Sequence, residues 1–214
     1  MDKIQIDYIP NNKNLLVAQH KDMYHFNTDS VLLGEFINIS EGEEVLDVGT
    51  NNGILLVYII NKKGKATGIE INDKAIDVAR YTLSLNNMDA TLINGDFSEY
   101  IFNDKFDVII SNPPYFNNME PKERNDNDNI AIARHESSLS LHILISKIKD
   151  NLKDKGRAYL VYRYDRYDDL LKEISDAKMY INKECIVSNN KKIITVLVEF
   201  SNNKTDIYKT TRKI

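Results

Sequence analysis

The stretch Ser111-Asn112-Pro113-Pro114-Tyr115-Phe116 follows directly on the apolar run Phe106 to Ile110. Adjacent prolines lack backbone donors and keep the residue before them extended, so the segment predicts a stiff elbow with carbonyl groups available as acceptors. The Asn112 side-chain oxygen and the Pro113 carbonyl can accept the two N–H groups of a planar amine, while Tyr115 offers a ring for stacking. Such groups can orient an amine nitrogen as a nucleophile without needing a metal.

A second set of candidate residues lies at the ends of three earlier apolar runs. The first run ends in a glycine-bearing turn, Asp47 to Gly53, where a ligand can approach the backbone and the helix amides that follow. Glu70 ends the second run, 21 residues after Gly49 (70 − 49), where an acid can accept both hydroxyl groups of a ribose. Asp96 and Phe97 follow the third run. The spacing therefore predicts a nucleoside site at one edge of a sheet.

The turn from Asp47 to Gly53 has the pattern D-x-G-x-x-x-G. It resembles the first motif of class I S-adenosylmethionine-dependent methyltransferases, with Asn51 where a further glycine is usual. Asparagine tolerates left-handed backbone, so the turn can form despite this difference. The resemblance implies S-adenosylmethionine as cofactor, with Asp96 binding the adenine amino group and Phe97 covering one adenine face.

Asn-Pro-Pro-Tyr at 112–115 resembles the catalytic motif of methyltransferases that act on an amino nitrogen, which is adenine N6, guanine N2 or a glutamine amide. Three further stretches resemble the bacterial tRNA(Val) adenosine-37 N6-methyltransferases: "YHFNTDSVLLGEF" from Tyr24, "NIAIARHE" from Asn129 and "GRAYLVYRYDR" from Gly156. Together the likeness covers the chain from about Asp7 to Phe200. It implies transfer of a methyl group to adenine N6 in the anticodon loop of a tRNA.

The expected site residues fall into three groups. The expected catalytic residues are Asn112, Pro113, Pro114 and Tyr115. The expected cofactor-binding residues are Thr28, Asp29, Ser30, Asp47, Gly49, Asn51, Gly53, Glu70, Asp96, Phe97 and Asn112, of which the first three follow from the family resemblance. The expected substrate-binding residues are Tyr115, Phe116, Lys122, Arg124, Arg134, His135 and Glu136. No metal site is expected.

The elements that must position these residues alternate between short β-branched runs and amphipathic stretches from Glu43 onward, a pattern typical of a parallel sheet covered by helices. We predict an α/β, Rossmann-like doubly wound sheet of seven strands, the last antiparallel, since only Asn189 to Lys191 separates the last two runs. A hairpin of 14–19 with 23–26 and a helix capped by Thr28 are predicted ahead of it. Gly156 is expected to end the helix before the fifth strand.

The composition fits one soluble domain of 214 residues, with 42% hydrophobic and 28% charged residues. We expect a hairpin and capping helix at 1–40, a methyltransferase domain at 41–200 and a basic tail at 201–214. Cys185 is the single cysteine, and neither a signal peptide nor a membrane-spanning run is evident, so a cytoplasmic location is expected. The net charge of −4 argues against a bulk nucleic-acid coat but allows local basic clusters.

Several alternatives stay open at this point. A methyltransferase for ribosomal RNA, at adenine N6 or guanine N2, or for DNA adenine would carry the same motifs, although no added recognition domain is visible. A release-factor glutamine methyltransferase is expected to carry a helical substrate domain ahead of the cofactor fold, where about forty residues precede Val45 here. A catalytically silent RNA- or cofactor-binding module is the alternative outside enzymes. The oligomeric state does not follow from the sequence.

Overall fold

The computed structural model describes residues 3–23, 25–113 and 139–214. The chain begins with β1 (Ile4–Ile9), β2 (Asn12–His20) and α1 (Thr28–Phe36). An alternating block follows, with β3 (Glu44–Val48), α2 (Ile54–Asn61), β4 (Lys65–Glu70), α3 (Asp73–Leu85), β5 (Thr91–Asn94) and β6 (Phe106–Ser111). The last part contains α4 (Leu141–Asn151), β7 (Leu152–Arg163), a 3₁₀ turn (Tyr164–Arg166), α5 (Tyr167–Asp176), β8 (Tyr180–Ser188), β9 (Ile193–Ser201) and β10 (Tyr208–Lys213).

The main sheet has the strand order β10-β8-β9-β7-β6-β3-β4-β5. From β7 to β5 the neighbouring strands are parallel, whereas β9 runs antiparallel to both β7 and β8. The chain moves outward from β3 to β5 on one side and then from β6 to β7 on the other. The direction therefore reverses between β3 and β6, and such a reversal opens a crevice at the carboxyl ends of the two strands.

Helices cover both faces of this sheet, so its central strands are apolar on both sides. One core joins α1 and α2 to the sheet and contains Leu33, Leu56, Val45 and Val161. The other joins α4 and α5 to the opposite face and contains Leu144, Leu170, Leu46 and Leu160. Each of these eight side chains is fully buried, which stabilises the fold by roughly 1.5 to 3 kcal/mol per residue. The predicted doubly wound α/β fold is confirmed.

The sheet has eight strands within the described residues, so the predicted count of seven is wrong. All seven predicted strands are present, and the antiparallel orientation of β9 is as predicted. The additional strand is β10, which lies in the segment expected to be only a basic tail and pairs in parallel with β8. Its residues, Tyr-Lys-Thr-Thr-Arg-Lys, have almost no apolar periodicity, because β10 is an edge strand that stays largely exposed.

The N-terminal hairpin consists of β1 and β2, which are antiparallel. The predicted pairing of 14–19 with 23–26 is wrong, because β2 pairs with the strand before it, through a turn in which Asn11 has left-handed backbone (φ 65°). A side chain of α3 and that of its C-cap, Asn86, hold the hairpin in place. Thr82 Oγ1 accepts the Ala18 N–H at 3.0 Å, and Asn86 Oδ1 accepts the Leu16 N–H at 2.8 Å. These two bonds attach the hairpin to the α3 side of the core.

Two predicted helix boundaries are also wrong. Asn27, not Thr28, is the N-cap of α1, because its side-chain oxygen accepts the Ser30 N–H while Thr28 is already the first helical residue. Gly156 lies inside β7 and does not end α4, which stops at Asn151. No helix within the described ranges is long and apolar enough to cross a membrane.

Candidate active site

Four neighbouring strands of the sheet end at one edge and bring the predicted residues together. In the order β6, β3, β4, β5, these strand ends carry Asn112, the Asp47-to-Gly53 turn, Glu70 and Asp96. The register places Val48 beside both Ser111 and Ile69. The site therefore lies at the topological switch point between β3 and β6, where open α/β sheets bind ligands.

The turn from β3 to α2 relies on left-handed backbone at three positions, Gly49 (φ 73°), Asn51 (φ 48°) and Gly53 (φ 79°). A Cβ atom at Gly49 would meet no heavy atom within 4 Å, so the space above this residue is open to a ligand. A Cβ atom at Gly53 would lie 3.2 Å from Ala79, which leaves room for glycine but crowds anything larger. The turn forms with asparagine at position 51, as the tolerance of this residue for left-handed backbone predicts.

Asp47 lies at the base of this turn and is fully buried. Its Oδ2 accepts the Thr50 hydroxyl at 2.6 Å, whereas Oδ1 is buried and has no hydrogen-bond partner in the described part of the chain. Burial raises the pKa of Asp47 to about 7; the Thr50 hydrogen bond opposes this rise, and the nearby charge of Glu70 adds to it. A buried acceptor without a partner points to a ligand with a donor group.

Asn52 belongs to the same turn but was not among the predicted site residues. The residue is 3% exposed, and its Oδ1 accepts the Ile54 N–H at 3.4 Å. Its Nδ2 is buried and has no partner within the described residues. The signal in the sequence was its polar, helix-capping residue type inside an otherwise tight turn. Among the described residues, Asn52 and Asp47 together leave one donor and one acceptor without a partner, both of them buried in this turn.

Glu70 at the end of β4 connects the turn to the next helix. Its two carboxylate oxygens accept the N–H groups of Asn51, at 3.1 Å, and Asn72, at 3.0 Å. A carboxylate has about four acceptor positions, so two remain for the hydroxyl groups of a ribose. Glu70 therefore supports the turn in addition to the predicted contact with a nucleoside.

Asp96 and Phe97 follow β5 in different surroundings. Asp96 Oδ1 accepts both the N–H and the hydroxyl of Ser98, at 2.8 and 2.6 Å, while Oδ2 makes no hydrogen bond to the described residues. Phe97 is 4% exposed and packs in the core near Phe102, with 6.2 Å between ring centroids. Asp96 thus has an acceptor available for an amino group, whereas the Phe97 ring presents little surface to a ligand. The adenine contacts of both residues stay predictions.

Asn112 stands at the end of β6, between the buried Ser111 and the buried Pro113. The Ser111 hydroxyl donates to the Val48 carbonyl at 2.8 Å and anchors this segment to β3. The Asn112 Nδ2 donates to Ser30 Oγ in the first turn of α1 at 2.9 Å. Thr28 and Asp29 lie in the same turn, with Thr28 exposed and Asp29 partly buried. The structure therefore brings α1 to the Asn112 side of the crevice, and the cofactor contacts of Thr28, Asp29 and Ser30 stay predictions.

The remaining predicted residues lie outside the described ranges. They are Pro114, Tyr115, Phe116, Lys122, Arg124, Arg134, His135 and Glu136. Their catalytic and substrate-binding roles stay predictions.

The residues at the crevice fit S-adenosylmethionine. The open space above Gly49 and the unused polar atoms of Asp47 and Asn52 suit the amino-acid part of the cofactor, while Glu70 and Asp96 suit the ribose and the adenine. Among the residues that the structure describes, no group of three or more His, Cys, Asp or Glu side chains is placed to hold a metal ion.

Known proteins resemble this chain in sequence. The family model of the methyltransferase small domain matches residues 23–186. A tRNA1(Val) (adenine(37)-N6)-methyltransferase of Flavobacteriaceae bacterium (strain 3519-10) is 29% identical over 198 residues, covering 90% of this chain and 83% of the relative. One of the same name from Aliivibrio fischeri (strain MJ11) is 35% identical over 139 residues, covering 63% of this chain and 58% of the relative.

Solved structures show the same fold at lower sequence identity. The tRNA m1G37 methyltransferase of M. jannaschii superposes with a TM-score of 0.65 at 17% identity, over 95% of this chain and 58% of that chain. A putative class I S-adenosylmethionine-dependent methyltransferase of Listeria monocytogenes gives 0.61 at 15% identity, over 88% and 68%. The resemblance predicted from the motifs is thus confirmed, and the chain belongs to the methyltransferase small domain family of class I S-adenosylmethionine-dependent methyltransferases.

Proposed function

We propose that this protein transfers a methyl group from S-adenosylmethionine to N6 of an adenosine in the anticodon loop of a tRNA, at position 37 of a valine tRNA. The main support is the position of Asn112, which directly follows β6 beside the Asp47-to-Gly53 turn at the switch point of the sheet. The names of the relatives from Flavobacteriaceae and Aliivibrio support the choice of amine and of RNA.

Asn112 and Pro113 bind and orient the amine in this mechanism. The Asn112 Oδ1 and the Pro113 carbonyl accept the two N6–H groups, which draws the nitrogen lone pair out of conjugation with the ring. S-adenosylmethionine would supply an electrophilic methyl group on its sulfonium sulfur, and breaking of that carbon–sulfur bond would release S-adenosylhomocysteine, a neutral thioether. The amine gains the methyl group and loses one proton to solvent. Positioning by this chain therefore carries most of the rate acceleration.

An anticodon-loop adenosine suits this site on energetic grounds. Reaching N6 requires the base to leave its stack, and in a loop this costs less than in a duplex. We assign the stacking of the extruded base to Tyr115 and Phe116. Contacts to the RNA around it are assigned to Lys122, Arg124, Arg134, His135 and Glu136. We place the activity in the cytoplasm, where tRNA and cofactor are both present.

The test is methylation of tRNA isolated from cells that lack the gene for this protein. The purified protein is incubated with this tRNA and S-adenosylmethionine, and the digested RNA is analysed by mass spectrometry. We expect N6-methyladenosine that maps beside one anticodon, and no further methylation of tRNA from cells that retain the gene. Methyl transfer to ribosomal RNA, DNA or a release factor instead, with none to tRNA, would show that the proposed substrate is wrong.

A further inference from the structure

The side chain of Asn112 is tied to a residue 82 positions earlier in the chain. Its Nδ2 lies 2.9 Å from Ser30 Oγ, and Ser30 is 7% exposed. Ser30 in turn contacts the N-cap of α1, because Asn27 Oδ1 lies 3.1 Å from the Ser30 backbone nitrogen and 3.5 Å from Ser30 Oγ. A short chain of hydrogen bonds therefore runs from the start of α1 to the end of β6.

The backbone of α1 determines which groups donate and which accept in these hydrogen bonds. The Ser30 backbone N–H can only donate, so the Asn27 atom that faces it is the carbonyl oxygen. The same oxygen can only accept, and at 3.5 Å from Ser30 Oγ it lies at the long limit for a hydrogen bond, so it favours a Ser30 hydroxyl hydrogen that points toward Asn27. The lone pairs of Ser30 Oγ then face Asn112, and the Asn112 atom that meets them is the amide nitrogen. The Asn112 Oδ1 is left as the atom for an external donor.

We propose that Ser30 is a positioning residue that, together with Asn27, fixes the orientation of the Asn112 carboxamide. This inference rests on the proposed function, since it concerns how Asn112 receives the substrate amine. If the carboxamide were rotated by half a turn, its NH₂ would meet the donor N–H groups of the amine, and two donors cannot share a hydrogen bond. Ser30 therefore selects the one orientation in which Asn112 can accept.

The residues around these hydrogen bonds hold the Asn112 carboxamide in one orientation. Ser111 is anchored to Val48 by its hydroxyl, so the backbone before Asn112 is held at one point and its side chain at another. The next residue, Pro113, is buried and restricts the backbone of Asn112. Ser30 lies in a helix whose neighbours Val31, Leu32 and Leu33 are buried in the core. Loss of the Ser30 hydroxyl removes the side-chain anchor without removing the helix.

The test compares Ser30→Ala with wild type in single-turnover methylation of tRNA at saturating cofactor and RNA. We expect the rate to fall by about tenfold to a hundredfold, while the dissociation constants of S-adenosylmethionine and tRNA stay within about threefold. Ser30→Thr, which keeps the hydroxyl, should restore the rate to within about threefold of wild type. Ser201→Ala is the matched control, because Ser201 is 6% exposed, carries hydrogen bonds to Asn203 and lies at the opposite edge of the sheet.

Four outcomes would overturn the proposal. The first is a Ser30→Ala rate within about twofold of wild type. The second is weaker cofactor binding with an unchanged saturated rate, which would make Ser30 a cofactor ligand. The third is an equal loss of rate in Ser201→Ala. The fourth is a loss of rate in Ser30→Ala that Ser30→Thr fails to restore.

A second measurement separates this inference from the proposed substrate. If wild type methylates no tRNA, the proposed function fails, and NMR of the ¹⁵N-labelled protein still tests the positioning role. The Asn112 side-chain NH₂ signals, identified by their loss in Asn112→Ala, should shift and exchange faster with solvent in Ser30→Ala than in wild type. Unchanged signals in Ser30→Ala would overturn the positioning role.

Discussion

Charged side chains lie at both ends of the parallel strands, here called the amino edge and the carboxyl edge of the sheet. In the described part of the chain they are paired at the amino edge and unpaired at the carboxyl edge. At the edge formed by the amino ends of the parallel strands, Arg157 donates to both oxygens of Glu43 at 2.9 and 2.8 Å, and Lys153 donates to Asp107 at 2.8 Å. The Arg157 hydrogen bond lowers the pKa of Glu43 against the effect of burial. Burial tends to raise the pKa of Asp107, but its hydrogen bond from Lys153 lowers the value overall.

At the carboxyl edge, the acidic side chains of the predicted site have no basic partners among the described residues. Asp47, Glu70 and Asp96 lie at three neighbouring strand ends, and within the described ranges none of them forms an ion pair with Lys or Arg. Asp47 and Asn52 also keep buried polar atoms without partners. Polar groups left unpaired at a cost in stability are typical of binding sites, so we assign fold stabilisation to the amino edge and propose the carboxyl edge as the ligand site.

The largest expected effect in this comparison concerns Asp47. Its pKa rises from 3.8 to about 7 on folding, so the native state keeps a proton that the unfolded chain loses, and this contribution to stability disappears as the pH rises from about 4 to about 7. Asp47→Asn removes this dependence. Relative to wild type, the variant should gain about 4 kcal/mol in free energy of unfolding between about pH 4 and pH 8, measured by urea denaturation.

The pH dependence of stability expected from Asp47 is opposite to that expected from the acids at the amino edge. Acids with a lowered pKa, such as Glu43, lose their contribution to stability as the pH falls. A difference between Asp47→Asn and wild type that does not change with pH would contradict the role given to burial at Asp47.

The next largest effect is expected for Arg157 at the amino edge. Arg157→Ala leaves the Glu43 carboxylate, which is 20% exposed, without its bidentate partner, so the free energy of unfolding should fall by about 2 to 4 kcal/mol. Cofactor affinity should not change, because the pair lies at the opposite edge from the crevice. Glu41→Ala is the matched control, since its pair with Lys63 is largely exposed and worth less than about 0.5 kcal/mol. Weaker cofactor binding in Arg157→Ala would contradict the assignment of stability to one edge and of ligand binding to the other.

The smallest effect of the three concerns Glu70. Glu70→Gln keeps the size of the side chain but removes the charge that accepts the two backbone N–H groups and that we propose to receive the ribose hydroxyl groups. We expect S-adenosylmethionine to bind about 1.5 to 3 kcal/mol more weakly by calorimetry. The control Glu99→Gln removes an exposed charge just beyond Asp96 and should leave affinity unchanged. Equal affinities of Glu70→Gln and wild type would rule out the ribose contact.

The strands at the crevice could be predicted from the sequence because their signals are local. Runs such as Glu44–Val48 and Phe106–Ser111 are short, apolar and followed by turn residues, which identifies parallel strands and their carboxyl ends. Once those ends share an edge, Asp47, Glu70 and Asn112 must lie near one another.

What could not be predicted depends on contacts between distant parts of the chain. Ser30 and Asn112 are 82 residues apart, and nothing local in the sequence joins the start of a helix to the end of β6. Strand β10 forms because the edge of β8 is available, not because its own residues favour a buried strand. The donor of Asn52 becomes informative only when its burial is known. Residue types in the sequence indicate which chemistry is possible. Only the packing of distant segments shows which polar atoms remain without a partner.

We propose that the carboxyl edge presents Asn112 as the acceptor for the substrate amine. The most direct measurement is the single-turnover rate of Asn112→Ala on tRNA lacking the modification, together with its affinity for S-adenosylmethionine. We predict a loss of at least about a hundredfold in rate, with the dissociation constant of the cofactor within about threefold of wild type. A rate close to that of wild type would show that groups other than Asn112 orient the amine.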